Sequence, residues 1–86
     1  MNKTSQYTII LIMRDERLKF LAQNIKAERA RKGYSQQQLA EIIDVNERSI
    51  SQIEQAKQKP SAFIVYDIAN ALDIAVEELF KNVPKR

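Results

Sequence analysis

Between residues 36 and 55 the chain reads QQQLAEIIDVNERSISQIEQ, with its apolar residues at Leu39, Ala40, Ile43, Val45, Ile50 and Ile53. This spacing constrains the fold more than any other feature. Leu39, Ala40 and Ile43 share one face of a short helix. Ser35 and Gln38 form the S-x-x-Q signature of a capping box at its start. The segment Asp44-Val45-Asn46 breaks the pattern, Asn46 is a good N-cap, and Glu47 in the following turn suits the helix dipole. At ~100° per residue, Glu47, Arg48, Ser51, Gln52 and Gln55 fall within an arc of roughly 140°, with Ile50 and Ile53 opposite. The second helix therefore has a narrow apolar seam and a wholly polar outer face. Ala40 lies where two steeply crossing helices would touch, which requires a small side chain. A short helix, a tight turn and a second, polar-faced helix make a helix-turn-helix.

The rest of the chain supplies helices to pack around this pair. Leu18, Leu21, Ala22 and Ile25 share a face of a helix predicted over 15–32, Arg29 continues their stripe, and Gly33 ends it. The loop AKQKPS (56–61) contains Pro60 and ends on Ser61, an N-cap candidate. Val65, Ile68, Ala69 and Leu72 then form a buried stripe. A last short helix over 73–80 turns Ile74, Val76, Leu79 and Phe80 inward, although Ala75 is a weak N-cap for it. The run TIILIM (8–13) is uninterrupted and β-branched, which suggests a short strand in front of the five helices, behind a polar tail at 1–7. The expected division is an N-terminal extension over 1–13, the helical domain over 14–81 and a tail over 82–86.

Composition narrows the function. A chain of 86 residues with 44% hydrophobic content suits one small domain. It contains no Cys and no His, which removes disulfides, the usual zinc, haem and iron–sulfur sites, and Cys- or His-based catalysis. No cofactor, metal or enzyme activity is expected. No stretch approaches the ~18 apolar residues of a membrane helix. The net charge is +3, divided as +4 over residues 1–60, −4 over 61–80 and +3 over 81–86. A basic front and an acidic back is a polarity that suits a polyanion binder. The outer face of the second helix is rich in groups that pair with base edges: Arg with guanine, Gln with adenine, Ser with several partners.

Residues 19–80 resemble the Cro/XRE-type helix-turn-helix family of phage repressors and bacterial regulators. The resemblance rests on IKAERARKGYSQQQLAEIIDVNERSISQIEQAKQKPS (25–61) and IANALDIAVEELF (68–80). It implies an all-α, compact five-helix, phage-repressor-like DNA-binding domain whose second motif helix enters the major groove of double-stranded DNA. Glu47, Arg48, Ser51 and Gln52 would then read bases. Asn46 and Gln55 would lie at the sugar–phosphate edge, Gln36 and Gln37 would meet phosphate, and Lys57 and Lys59 would clamp the backbone from the following loop. The resemblance also implies a structural ion pair between Arg29 and Glu54. Phe63 and Tyr66, off the buried stripe of the fourth helix, would meet a second copy in a homodimer. Glu47 has a second reading, as a helix-dipole partner that only tolerates DNA.

The family commonly has glycine where this chain has Asp44, Ala56 and Asp73. The expected role is a cytoplasmic regulator, bacterial or phage-encoded, that represses a palindromic operator as a dimer. The alternatives are an antitoxin that represses its own operon with a toxin as partner, a restriction–modification controller, and an adaptor module that uses the fold for protein contacts.

Overall fold

The computed structural model describes residues 3–85, with side chains from Glu16 to Lys85. Five helices follow one another: α1 (Lys3–Lys32), α2 (Gln36–Ile42), α3 (Glu47–Glu54), α4 (Ala62–Ala71) and α5 (Val76–Leu79). The described residues contain no strand.

The TIILIM run, expected as a strand, lies inside α1, as does part of the expected polar tail. The physical reason is pairing. A lone strand in an otherwise helical chain has no edge to bond to, so its backbone N–H and C=O groups would depend on water. Continuing the helix of residues 15–32 back towards the N-terminus satisfies them within the segment. A helix of 30 residues spans ~45 Å, which accounts for the 48 Å long axis beside transverse dimensions of 23 and 20 Å.

One core holds the helices together. Leu21 and Ile25 of α1 meet Leu39 and Ala40 of α2, Ile50 and Ile53 of α3, Val65, Ile68 and Ala69 of α4, then Leu72 and Leu79. Ile25, Leu39, Ile50, Ile68 and Leu79 are fully enclosed. Ile43, Val45, Ile74 and Val76 pack at the margin. Phe80, expected inward, is 44% exposed. Leu79 takes the one core position that this single-turn helix reaches, and Phe80, ~100° further round, turns away from it.

The helix ends follow from local chemistry. Ser35, Asn46 and Ser61 adopt extended backbone, and each accepts a hydrogen bond from the amide three residues on. Gln38 completes the capping box by accepting from the Ser35 amide at 2.7 Å. Gly33 ends α1 at φ +85, and the Tyr34 amide donates back to the Arg29 carbonyl. Asp44, Ala56 and Asp73 also have positive φ, at 60, 59 and 57. The carbonyls left open by α2, α3 and α4 need this left-handed step to find donors, whichever residue occupies the position. Ala75 starts α5 with no side-chain cap.

α5 is held instead from a distance. Asn24 Nδ2 donates to the Leu79 carbonyl at 2.9 Å and to the Lys81 carbonyl at 2.7 Å. Both are carbonyls at the end of a helix too short to satisfy them itself.

Candidate nucleic-acid interface

α2 and α3 form the motif. The Val45 amide donates to the Ala40 carbonyl at 3.0 Å and the Asp44 amide to the Glu41 carbonyl at 3.3 Å, which closes the turn between them. Leu39, Ala40, Ile50 and Ile53 are 0–2% exposed and lock the pair together. With its seam so fixed, α3 has one free face. Glu47 and Arg48 are exposed in its first turn, Ser51 and Gln52 are half-buried in the second, and Gln55 is exposed at the C-cap. Arg48 forms no ion pair with any described residue.

Several of the polar groups already have partners. Asn46 Oδ1 caps α3 by accepting from the Ser49 amide at 2.8 Å. Gln55 Nε2 donates to Ser51 Oγ at 2.7 Å, which orients that hydroxyl along the outer face. Gln37 Nε2 donates to Glu41 at 3.3 Å and stays exposed at the start of α2. Gln36 Nε2 reaches across the motif to Glu54 Oε1 at 3.1 Å. Lys57 and Lys59 are exposed on the loop after α3. Two amides of this loop, those of Lys57 and Gln58, donate to the Gln52 carbonyl at 2.9 and 3.3 Å, so the loop folds tightly onto the end of α3.

Behind the motif is a polar node. Arg29 Nε donates to Glu54 Oε2 at 2.6 Å and Nη2 to Oε1 at 2.9 Å, a two-pronged pair between α1 and α3. Arg29 Nη1 donates to the Tyr34 carbonyl at 2.7 Å. The side chains are 13% and 2% exposed. The hydrogen bonds to Glu54 raise the Arg29 pKa above its ordinary value against the opposing effect of burial. The node fixes α3 to α1 at the end opposite its cap. The Tyr34 and Gln36 contacts were not visible in the sequence pattern, because neither residue lies on an apolar stripe.

Phe63 and Tyr66 are 81% and 56% exposed on α4. Asp67, Asp73, Glu77 and Glu78, all exposed, bring the negative charge of the chain to α4, α5 and the turn between them, away in sequence from the motif. Among the described residues no cluster could hold a metal ion, and no helix is long and apolar enough to cross a membrane.

A capped short helix, a left-handed turn and a second helix with a free polar face are the parts of a DNA-reading motif, and the family model described as helix-turn-helix matches residues 25–79. The chain belongs to the Cro/XRE-type helix-turn-helix family. Over 64 residues it is 38% identical to an uncharacterized HTH-type transcriptional regulator of Rickettsia prowazekii, a match covering 74% of this chain and 49% of the relative. It is 36% identical over 55 residues to the uncharacterized HTH-type transcriptional regulator YazB of Bacillus subtilis, covering 64% of this chain and 80% of the relative. The chain thus spans about half the length of the first relative and most of the second. Among solved structures it is similar to the restriction–modification controller protein C.AhdI of Aeromonas hydrophila. The TM-score is 0.71 and the identity 30%, over 73% of this chain and 96% of the controller. Residues 25–79 are thus a helix-turn-helix domain of this family, and their fold is similar to that of the controller.

Proposed function

We infer that the protein is a cytoplasmic repressor that reads a near-palindromic operator in double-stranded DNA as a homodimer. The observation that carries this reading is the free face of α3: four polar side chains on a helix whose opposite side is enclosed in the core. Glu47, Arg48, Ser51 and Gln52 read base edges in the major groove, with Asn46 and Gln55 at its rim. Gln37 and the first amides of α2 meet phosphate on one side of the groove, and Lys57 and Lys59 meet it on the other. Gln36, bonded to Glu54, serves by orienting α2 against α3 and supplies its backbone amide. Two copies place their α3 helices ~34 Å apart, one turn of DNA.

Selection from a random duplex library tests binding, palindromy and half-site spacing together. The expected product is an inverted repeat with half-sites about one turn apart. On that site Gln52→Ala costs about 1–3 kcal/mol and relaxes preference at one position. Lys57→Ala weakens all sequences alike and lowers the salt slope by about one. Equal losses on specific and random DNA from both variants would refute the division of labour. Absence of salt-dependent DNA binding would favour the adaptor reading.

A second reading within the same class follows from the similarity to C.AhdI, which spans nearly all of that controller. As a restriction–modification controller, the protein would govern a restriction–modification system. A reporter fused to the native upstream DNA separates the two: a controller changes output in both directions as its concentration rises, a simple repressor in one.

A further inference from the structure

On the outer face of α3, Ser51 and Gln55 stand one turn apart and are joined twice. The Gln55 amide donates to the Ser51 carbonyl at 3.0 Å, and Gln55 Nε2 donates to Ser51 Oγ at 2.7 Å. The backbone of Gln55 is fixed on both sides. It is the C-cap of α3, followed by the left-handed step at Ala56 and by a loop whose Lys57 and Gln58 amides return to the Gln52 carbonyl. A hydroxyl has one hydrogen to give and two lone pairs to receive with. Within a helix, a serine can direct that hydrogen to the carbonyl four residues back. Ser51 does not: its contact with Gln55 is its one side-chain hydrogen bond among the described residues, and in it Ser51 accepts. Glu47, one turn earlier on the same face, makes no bond to it. One lone pair of Ser51 is therefore engaged and its hydrogen is free.

We propose that Gln55 is a positioning residue that sets the hydrogen-bond polarity of Ser51, so that Ser51 reads its operator position as a donor. This rests on the DNA-binding reading and deepens it, because it names the kind of base read at one position. Guanine offers N7 and O6 as acceptors side by side in the major groove, adenine offers N7 and thymine O4, whereas cytosine offers only the N4 donor. Facing cytosine, the Ser51 oxygen would receive from both N4 and Gln55, and its hydrogen would be left in a desolvated interface without an acceptor. Guanine is therefore preferred at that position and cytosine rejected. The setting at the groove rim holds the Gln55 amide this way round. Phosphate oxygens only accept, so the second Nε2 hydrogen meets phosphate while the first meets Ser51. Gln55 thus governs a base preference without touching a base.

Selection of the full chain on a random duplex library tests this, with Ser51→Ala, Gln55→Ala and Gln55→Glu alongside. Ser51→Ala should flatten the preference at one position per half-site and so mark that position. Wild-type protein should favour guanine over cytosine there by about ten-fold. Gln55→Ala should reduce the ratio to below about three-fold while other positions keep theirs. Gln55→Glu should invert it. A carboxylate only accepts, so it takes the Ser51 hydrogen and leaves the oxygen to receive from cytosine N4. Its charge also repels phosphate, but that loss falls on all sequences alike. A merely structural role for Gln55 would move overall affinity and not the preferred base. Cytosine preferred by wild-type protein at the marked position, a preference unchanged in both Gln55 variants, or no position marked by Ser51→Ala would each overturn the proposal. The pair itself is read without DNA, by nuclear magnetic resonance of the free protein. The Gln55 side-chain amide signals should shift in Ser51→Ala more than those of the other glutamines, and absence of that shift would also overturn the proposal. The shift with no binding to any duplex would refute the DNA reading and the proposal with it. Duplex binding with any of the other failures would refute the role of Gln55 alone.

Discussion

Glu54 shares its two oxygens among three donors, Arg29 Nε, Arg29 Nη2 and Gln36 Nε2, in a side chain only 2% exposed. Removing it leaves a guanidinium largely buried without its anion. Glu54→Ala should therefore cost about 3 kcal/mol in chemical denaturation, and a loss below ~0.5 kcal/mol would refute the role assigned to the node. The double replacement Arg29→Met with Glu54→Leu should cost far less, because both desolvation penalties disappear together. Arg29 contributes no pH dependence near neutrality. Its pKa is raised, so its stabilising effect is complete below the unfolded value and is lost only at still more alkaline pH. A different kind of residue effect belongs to the left-handed positions. Ala56 at φ 59 has a Cβ in an unfavourable conformation, and Ala56→Gly should raise stability by roughly 0.5–1 kcal/mol, or several degrees in melting temperature. Gly33→Ala should have the opposite sign. Nothing lies within 4 Å of the added Cβ, so its cost is conformational alone.

At the scale of elements, α3 and α5 are both too short to persist in isolation. α3 is held at one end by its Asn46 cap, along its length by Ile50 and Ile53, and at the other end by Glu54. Its outer face can consequently be wholly polar without loss of order, which is what a reading helix requires. α5 lacks such provision, with Ala75 uncapped and Leu79 its single buried residue. Ala75 has φ −68 and ψ 145, an N-cap geometry already formed. Ala75→Asp should therefore stabilise by about 1 kcal/mol, measured by denaturant midpoint. Asn24→Ala should release the two carbonyls at the other end, costing about 1–3 kcal/mol, with faster hydrogen exchange at the Phe80 and Val83 amides before any change in α2 or α3.

For the whole molecule, the exposed Phe63 and Tyr66 are the test of assembly. Single exposed aromatics need no explanation, but two spaced three apart on one helix form a seam that a second copy can cover. If the proposed dimer closes on this seam, Phe63→Lys should give a monomer in sedimentation and weaken binding to a full palindrome far more than to a half-site. A dimer that survives this change would place the interface elsewhere. The length of α1 bears on a separate question. The core begins at Leu21 among the described residues, and a chain begun at Met13 retains all of it. Its far-ultraviolet helical signal per molecule should fall.

Much of this protein was legible in the order of its residues. Ser35, Asn46 and Ser61 mark helix starts, Gly33 marks an end, and the six apolar positions from Leu39 to Ile53 specify two helices at a set angle. All of these act over a few residues, where side chain and backbone meet whatever the rest of the chain does. Asp44, Ala56 and Asp73 were visible as unusual residues at turns, but their positive φ is a fact of the folded backbone. The remaining features depend on the path of the chain. Asn24 meets carbonyls 55 and 57 residues away, and Gln36 meets a carboxylate 18 residues on. Tertiary packing alone brings such partners together. Residues 8–13, whose β-branched composition favours a strand, have no strand beside them among the described residues, so the helix of residues 15–32 continues through them and satisfies their backbone within the segment.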